Sequence, residues 1–193
     1  MARTRAADYD DKRDAIHRAA ARILSKADGK ASMNQIADAC GISKALLYHY
    51  FRNRDELIFD IIHTHLSEID HTLHEEADGL KGRERLHKLS DALLTLYEDA
   101  DDLHRLQLGA LGALPDEDVQ RIREVERAIL GHFRSAVREI APDLERPRMV
   151  AVTMGLMGML NWAFTWFRSD GPLTRTEFAR MATDMALSEI EKG

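Results

Sequence analysis

The sequence has little of what cross-links or punctuates a chain. Among 193 residues there are one cysteine, four prolines and eleven glycines. One cysteine excludes an intramolecular disulfide framework and fits a reducing compartment. No apolar run reaches the roughly 18–20 residues of a membrane-spanning helix. The most apolar stretch, MVAVTMGLMGMLNWAFTWF at residues 149–167, is interrupted by Asn161 and reads as a buried helix. The first residues, MARTRAADYDDKRD, hold no apolar signal core, so a cytoplasmic location and no membrane partner are expected. There is no sustained alternating strand pattern, Gly-x-Ser-x-Gly elbow, phosphate-cradling glycine loop or Cys-x-x-Cys pair, which argues against the common hydrolase, nucleotide and redox chemistries.

What is present is helical periodicity, segment after segment. Ile16, Ala19, Ala20, Ile23 and Leu24 share one face of a helix over about 12–25. Ser32-Met-Asn-Gln35 is a capping box that starts a two-turn helix, and Gly41 stops it. Ser43 caps a third helix, and Asn53-Arg-Asp-Glu56 opens a fourth with Leu57, Ile58, Ile61, Ile62, Leu66, Ile69 and Leu73 on one stripe. Further helices are expected at about 83–99, 102–112, 116–140, 146–168 and 175–191, with Pro115, Pro142 and Gly171-Pro172 between them and a capping box at Thr174-Arg-Thr-Glu177. The fold class is therefore all-α, with domains at residues 1–55 and 56–193 joined through the long fourth helix.

Charge is unevenly spread. The chain carries a net −6, yet residues 1–55 hold 11 Lys and Arg against 7 Asp and Glu, leaving 16 against 26 in the remainder. A basic head on an acidic body can orient a protein on a polyanion. Within that head, GISKALLYHYF (residues 41–51) crowds a serine, a lysine, two tyrosines and a histidine onto one short helix. If Ile36, Ile42, Leu47 and Phe51 point inward with Ile16, Ala20 and Ile23, then Ser43, Lys44, Ala45, Leu46, Tyr48 and His49 point out. Helices at 32–40 and 43–50, joined by Cys40-Gly41-Ile42, form a helix-turn-helix whose second helix suits a major groove. Tyr48, His49 and the hydroxyls of Ser32 and Ser43 suit phosphate oxygens, Lys44 a phosphate or guanine edge, Ala45 and Leu46 thymine methyls, and Arg54 a phosphate. Arg3 and Arg5, on an arm expected to be unstructured, add positive charge only.

Residues 11–59, through MNQIADACGISKALLYHYF and NRDELI, resemble the N-terminal domain of the TetR family of transcriptional repressors. The resemblance implies DNA contacts at Ser32, Ser43, Lys44, Ala45, Tyr48, His49 and Arg54. Leu46 departs from the small polar residue often found at its place. It also implies a homodimer on a palindromic operator and a ligand cavity in the helices beyond. The segment LNWAFTWFRSDGPLTRTEFA, residues 160–179, resembles the end of TetR repressors of fatty-acid, steroid or aromatic-acid degradation, which implies a CoA thioester as effector.

Candidate cavity residues are Leu93, Leu96, Tyr97, Leu103, Leu106, Gln107, Phe133, Met154, Met157, Asn161 and Thr165, each of which also reads as ordinary core. Arg105, Arg121 and Arg123 are candidate partners for CoA phosphates, or plain solvated arginines. Gly155 and Gly158 permit close helix approach, and Trp162 and Trp166 offer area to bury, so these four are the candidate dimer interface. In this reading, ligand in the second domain tilts the fourth helix and changes the spacing of two reading heads.

Two other readings stay open: a TetR-type sensor of lipophilic drugs, and a di-iron helical enzyme, since Glu68-Ile-Asp-His71 and Glu84-Arg-Leu-His87 match the Glu-x-x-His spacing of such bundles. His87 lies among Lys81, Arg83, Arg85 and Lys88, which repel a cation, and His71 and His74 read as a solvated face. No metal, cofactor or catalytic residue is expected.

Overall fold

The computed structural model describes residues 2–191 apart from 28, 99 and 169, with side chains from Lys12 onward. All regular structure among these is helical: α1 (Ala2–Lys26), α2 (Met33–Cys40), α3 (Lys44–Tyr50), α4 (Arg54–Glu76), α5 (Gly82–Leu96), α6 (Asp101–Ala110), α7 (Asp116–Ile140), α8 (Arg146–Trp162) and α9 (Arg175–Glu191), with single 3-10 turns at Leu111–Ala113 and Ala163–Thr165.

Helix α1 starts ten residues earlier than the periodicity predicts and takes in Arg3 and Arg5, whose side chains lie outside the described residues. That stretch has no Gly or Pro to stop a helix. Helix α8 stops at Trp162, short of the expected 168, and tightens into a 3-10 turn in which Thr165 Oγ1 donates to the Trp162 carbonyl at 2.8 Å.

The chain forms two compact units. Unit 1 comprises residues 1–65 and 100–122. Ile16, Ala20 and Leu24 of α1, Ile36 and Ala37 of α2, Leu47 of α3, and Leu57, Ile58 and Ile61 of α4 are all buried in its core. Ile23 and Ile42, expected in that core, are only half-buried. The carboxyl end of α1 packs against α6, where Leu106 and Ala110 are buried and Ser25 Oγ donates to Asp102 Oδ1 at 2.9 Å. The chain leaves α1 through Gly29 at φ 74°, and a Cβ there would stand 3.2 Å from the Ala110 Cβ. Both the left-handed backbone and the close approach of α6 require glycine.

Unit 2 comprises residues 66–99 and 123–193. Helices α5 and α8 both pack on α9, burying Leu86, Leu89 and Leu93 of α5, Leu156 and Leu160 of α8, and Ala182 and Leu187 of α9. Phe133, Ala136 and Val137 of α7 are also fully buried. A hydrogen bond between two buried hydroxyls, Thr183 Oγ1 to Ser90 Oγ at 2.8 Å, ties α9 to α5.

Candidate nucleic-acid interface

The turn between α2 and α3 follows from three residues. Ser32 caps α2 in a complete capping box with Gln35. Gly41 ends α2 in the left-handed conformation (φ 65°, ψ 28°), and its N–H returns to the α2 carbonyls. Ser43 then caps α3, accepting from the Leu46 N–H at 3.1 Å.

On α3 only Leu47 is buried, with Phe51 buried just after it. Ser43, Lys44, Ala45, Leu46, Tyr48 and His49 are all exposed. The large side chains of Leu46 and Tyr48 are 39% and 44% exposed on that face. Lys44 Nζ lies 5.8 Å from the Tyr48 ring centroid, which keeps the ammonium on the same face.

Two of the expected phosphate donors differ in what they have to give. The Ser32 hydroxyl donates to Gln35 Oε1 at 2.9 Å, so its proton is engaged in the cap. The Ser43 hydroxyl accepts from Leu46 and keeps its proton for an outside acceptor. Arg54 is half-buried, with Nη2 and Nε on Asp55 Oδ1 at 3.0 and 3.2 Å. Arg52, which sequence reasoning did not single out, is 88% exposed at its side chain beside the start of α4 and pairs with Glu56 at 3.2 Å.

Behind α3 lies a network that no short-range pattern announces. Asp60 of α4 accepts from Arg13 Nε at 2.9 Å, from Arg13 Nη2, and from His17 Nε2 at 2.8 Å, both residues belonging to α1. Burial pushes the Asp60 carboxyl up, but the hydrogen bonds and charges of His17 and Arg13 outweigh it and hold the group below its ordinary range. The His17 ring also lies 5.8 Å from the Phe51 ring at the end of α3. Elsewhere in unit 1, burial brings His65 and His104 down to about 4, with each other's proximity adding to the effect on His65, so both are neutral near pH 7. Burial raises the Cys40 thiol above its ordinary range.

The cavity candidates separate. Leu103, Leu106 and Gln107 fall in unit 1, and the remainder in unit 2. Leu93, Tyr97, Phe133 and Met157 are buried, while Leu96 and Asn161 are half-buried. The Tyr97 hydroxyl donates to Asn161 Oδ1 at 2.8 Å. Met154, at 52% exposed, stands on the outer face of α8, and Thr165 is exposed in the following turn; the helix period and the early end of α8 turn both outward, away from the buried cluster. That outer face also carries Gly155, Gly158 and Trp162, and it continues to Trp166, Met181 and Met185. A cleft of about 250 Å³ runs along it between α8 and α9, past Ala151, Gly155, Met159 and Met185.

The metal alternative finds its histidines engaged elsewhere. His71 pairs with Glu75 at 3.4 Å and His87 with Asp184 at 3.2 Å, and no group of three metal-ligating side chains occurs among the described residues.

Two family models match the chain: bacterial regulatory proteins of the tetR family over residues 16–61, and the tetracyclin repressor-like C-terminal domain over residues 79–190. The uncharacterized HTH-type transcriptional regulator YhgD of Bacillus subtilis (strain 168) is 24% identical over 186 residues, spanning 88% of this chain and 91% of its own. A TetR-family transcriptional regulator from Bordetella parapertussis 12822 superposes with a TM-score of 0.83 at 27% identity, covering 91% of this chain and 93% of that one. AibR in complex with isovaleryl coenzyme A and operator DNA superposes with a TM-score of 0.75 at 24% identity, covering 90% and 97%. With a capped helix-turn-helix at one end and matches that together span most of its length, the chain belongs to the TetR family of bacterial transcriptional regulators, and it is a DNA-binding regulator, not an enzyme.

Proposed function

We propose that the protein is a homodimeric repressor that holds a palindromic operator through α3 and is released by a CoA thioester of a fatty, steroid-derived or aromatic acid. The observation that carries the DNA half is the exposure of Ser43, Lys44, Ala45, Leu46, Tyr48 and His49 around a buried Leu47. In this reading the segment 1–55 reads DNA and 56–193 binds ligand and dimerises. Ser43, Tyr48 and His49 hold phosphates, Lys44 a phosphate or guanine, and Ala45 and Leu46 meet thymine methyls. Ser32 takes a phosphate by turning its hydroxyl proton from Gln35 Oε1, and Arg54 takes one on leaving Asp55.

For the effector, support comes from the residues 160–179 and from AibR, a protein of the same fold whose complex contains isovaleryl coenzyme A and operator DNA. Within unit 2 the cavity candidates are Leu93, Leu96, Tyr97, Phe133, Met157 and Asn161. Dimerisation is supported by the exposed apolar face of α8 and α9, with Gly155, Gly158, Trp162 and Trp166 on it. Ligand changes the separation of the two recognition helices; converting mostly bound to mostly free requires a preference for the released state of about 10⁴-fold, or about 5.5 kcal/mol.

The test is selection of a site from a random duplex library, followed by challenge with acyl-CoAs, the corresponding free acids and cationic drugs. The expected outcome is a palindrome released by micromolar acyl-CoA and not by the acid. A palindrome released by many lipophilic cations, with no dependence on the CoA moiety, would establish a drug sensor instead. Failure to select any site would remove the proposed role of α3.

A further inference from the structure

Arg175, half-buried, opens α9 with two of its three guanidinium nitrogens shut off from water and no anion on them. Its Nε and Nη1 are shut off from solvent and have no hydrogen-bond partner among the described residues. The cation lies over the Phe167 ring, 5.0 Å from its centroid. Phe167 adjoins Phe178 at 6.4 Å, and Phe178 meets Trp166 edge-on at 5.0 Å. Ring faces attract the charge but accept no hydrogen bond in the guanidinium plane.

The carboxylates on either side of it in sequence are committed elsewhere. Asp170 takes two hydrogen bonds from Arg168, each 3.0 Å. Glu177 closes the capping box on the Thr174 N–H and hydroxyl, each at 2.8 Å. Three other arginines of unit 2 do have a carboxylate: Arg83 pairs with Glu191, Arg148 with Glu189, and Arg85 with Glu139, although the Arg85 Nε is itself without an acceptor among the described residues. Of the three arginines singled out in the sequence for CoA phosphates, Arg105 and Arg121 already face Asp102 at 3.6 Å and Asp118 at 3.9 Å, and Arg123 is exposed to water. Two guanidinium nitrogens shut off from water with no acceptor are costly, and an oxyanion reaching them would satisfy both.

We propose that Arg175 is the anion-binding residue of the effector site, taking a phosphate of the CoA moiety beside the Phe167–Phe178–Trp166 cluster. The proposal rests on the CoA-thioester reading for the source of the phosphate, while the oxyanion itself follows from the guanidinium. Planar, permanently charged and weakly hydrated, a guanidinium loses less than an ammonium on receiving an oxyanion in a closed site.

Calorimetric titration of the DNA-free protein with isovaleryl-, octanoyl- and benzoyl-CoA, the matching pantetheine thioesters and the free acids tests it, in wild type, Arg175→Met and Arg175→Lys. The expected result is that wild type prefers the CoA ester to its pantetheine ester. Arg175→Met should then lose about 10- to 100-fold in CoA-ester affinity, the worth of a charge-assisted contact, while the pantetheine ester is unchanged. Arg175→Lys should recover part of the loss. Equal CoA-ester affinity in wild type and Arg175→Met would overturn the assignment. Binding of a free acid alone, lost in Arg175→Met, would keep Arg175 as the anion residue and remove the CoA reading. No binding of any probe would remove both. If Arg175→Met does not fold, pyrophosphate decides: it should compete with the CoA ester on wild type and more weakly on Arg175→Lys, and absence of competition overturns the proposal.

Discussion

Leu47 has no exposed surface, while the residues on both sides of it, Leu46 and Tyr48, are open to solvent. One leucine therefore anchors the recognition helix and its neighbour is free to meet something else. Leu47→Ala removes buried methyl groups from a small core and is expected to cost about 2–5 kcal/mol, readable as a shift in the urea midpoint at unchanged slope. Leu46 has the opposite profile. With no hydrogen-bonding capacity, it can only select for an apolar feature of the groove, and the thymine methyl is the one the major groove offers. Replacing the facing thymine by deoxyuridine should weaken wild-type binding by about 0.8 kcal/mol, the value of one buried methyl-sized group. The same replacement should leave Leu46→Ala unaffected, and equal losses in both proteins would mean that Leu46 does not face that base.

At the scale of elements, the recognition helix is held from behind by α1. Asp60 of α4 gathers Arg13 and His17, and His17 touches the Phe51 ring that ends α3. Asp60→Asn is expected to cost about 1–3 kcal/mol at neutral pH, since it removes the acceptor of charge-assisted bonds. The carboxyl has a lowered folded-state pKa, so its contribution is fully present above the ordinary aspartate value near 4 and is lost as pH falls through the folded value. The stability difference between wild type and Asp60→Asn should therefore be flat from pH 7 to about 5 and shrink below about 4; a difference that persists unchanged below pH 4 would mean that the network does not depend on the Asp60 charge. This network shows where sequence reading stops. The capping boxes at Ser32 and Thr174 and the turn at Gly41 were legible because each is local, a fixed spacing of cap residue and returning side chain. Asp60 lies 43 residues from His17 and 47 from Arg13, and nothing in the periodicity of either helix pairs them. For the same reason the packing of α6 on α1 was invisible, because it depends on a close approach of Gly29 to Ala110, 81 positions further along the chain. Met154 and Thr165 were misplaced among the buried candidates because an apolar run with polar residues this sparse gives no phase from which to read an inside and an outside.

At the scale of the whole molecule, the glycines of α8 separate a free surface from an interface. A Cβ built on Gly155 or Gly158 meets nothing within 4 Å, so neither position needs glycine for packing inside its own subunit. Both are in a helix interior, where glycine is less favourable than alanine by about 0.8–1 kcal/mol. Both sit on the face that exposes Met154, Trp162 and Met185 at 52%, 62% and 56%. If that face were bare, Gly155→Ala and Gly158→Ala would each stabilise the protein by about 0.5–1 kcal/mol. If a second copy packs there, the two backbones approach where the side chain is missing, and an added side chain forces them apart. Gly158→Leu is then expected to shift light scattering from dimer to monomer, to make the melting temperature independent of protein concentration, and to leave far-ultraviolet helicity at 25 °C unchanged. Operator binding should fall with it, because a single head on a palindrome loses the effective concentration that the second head supplies, a factor of about 10²–10⁴. A Gly158→Leu protein that scatters as a dimer and melts at or above the wild-type temperature would put the dimer contact on another face of the molecule.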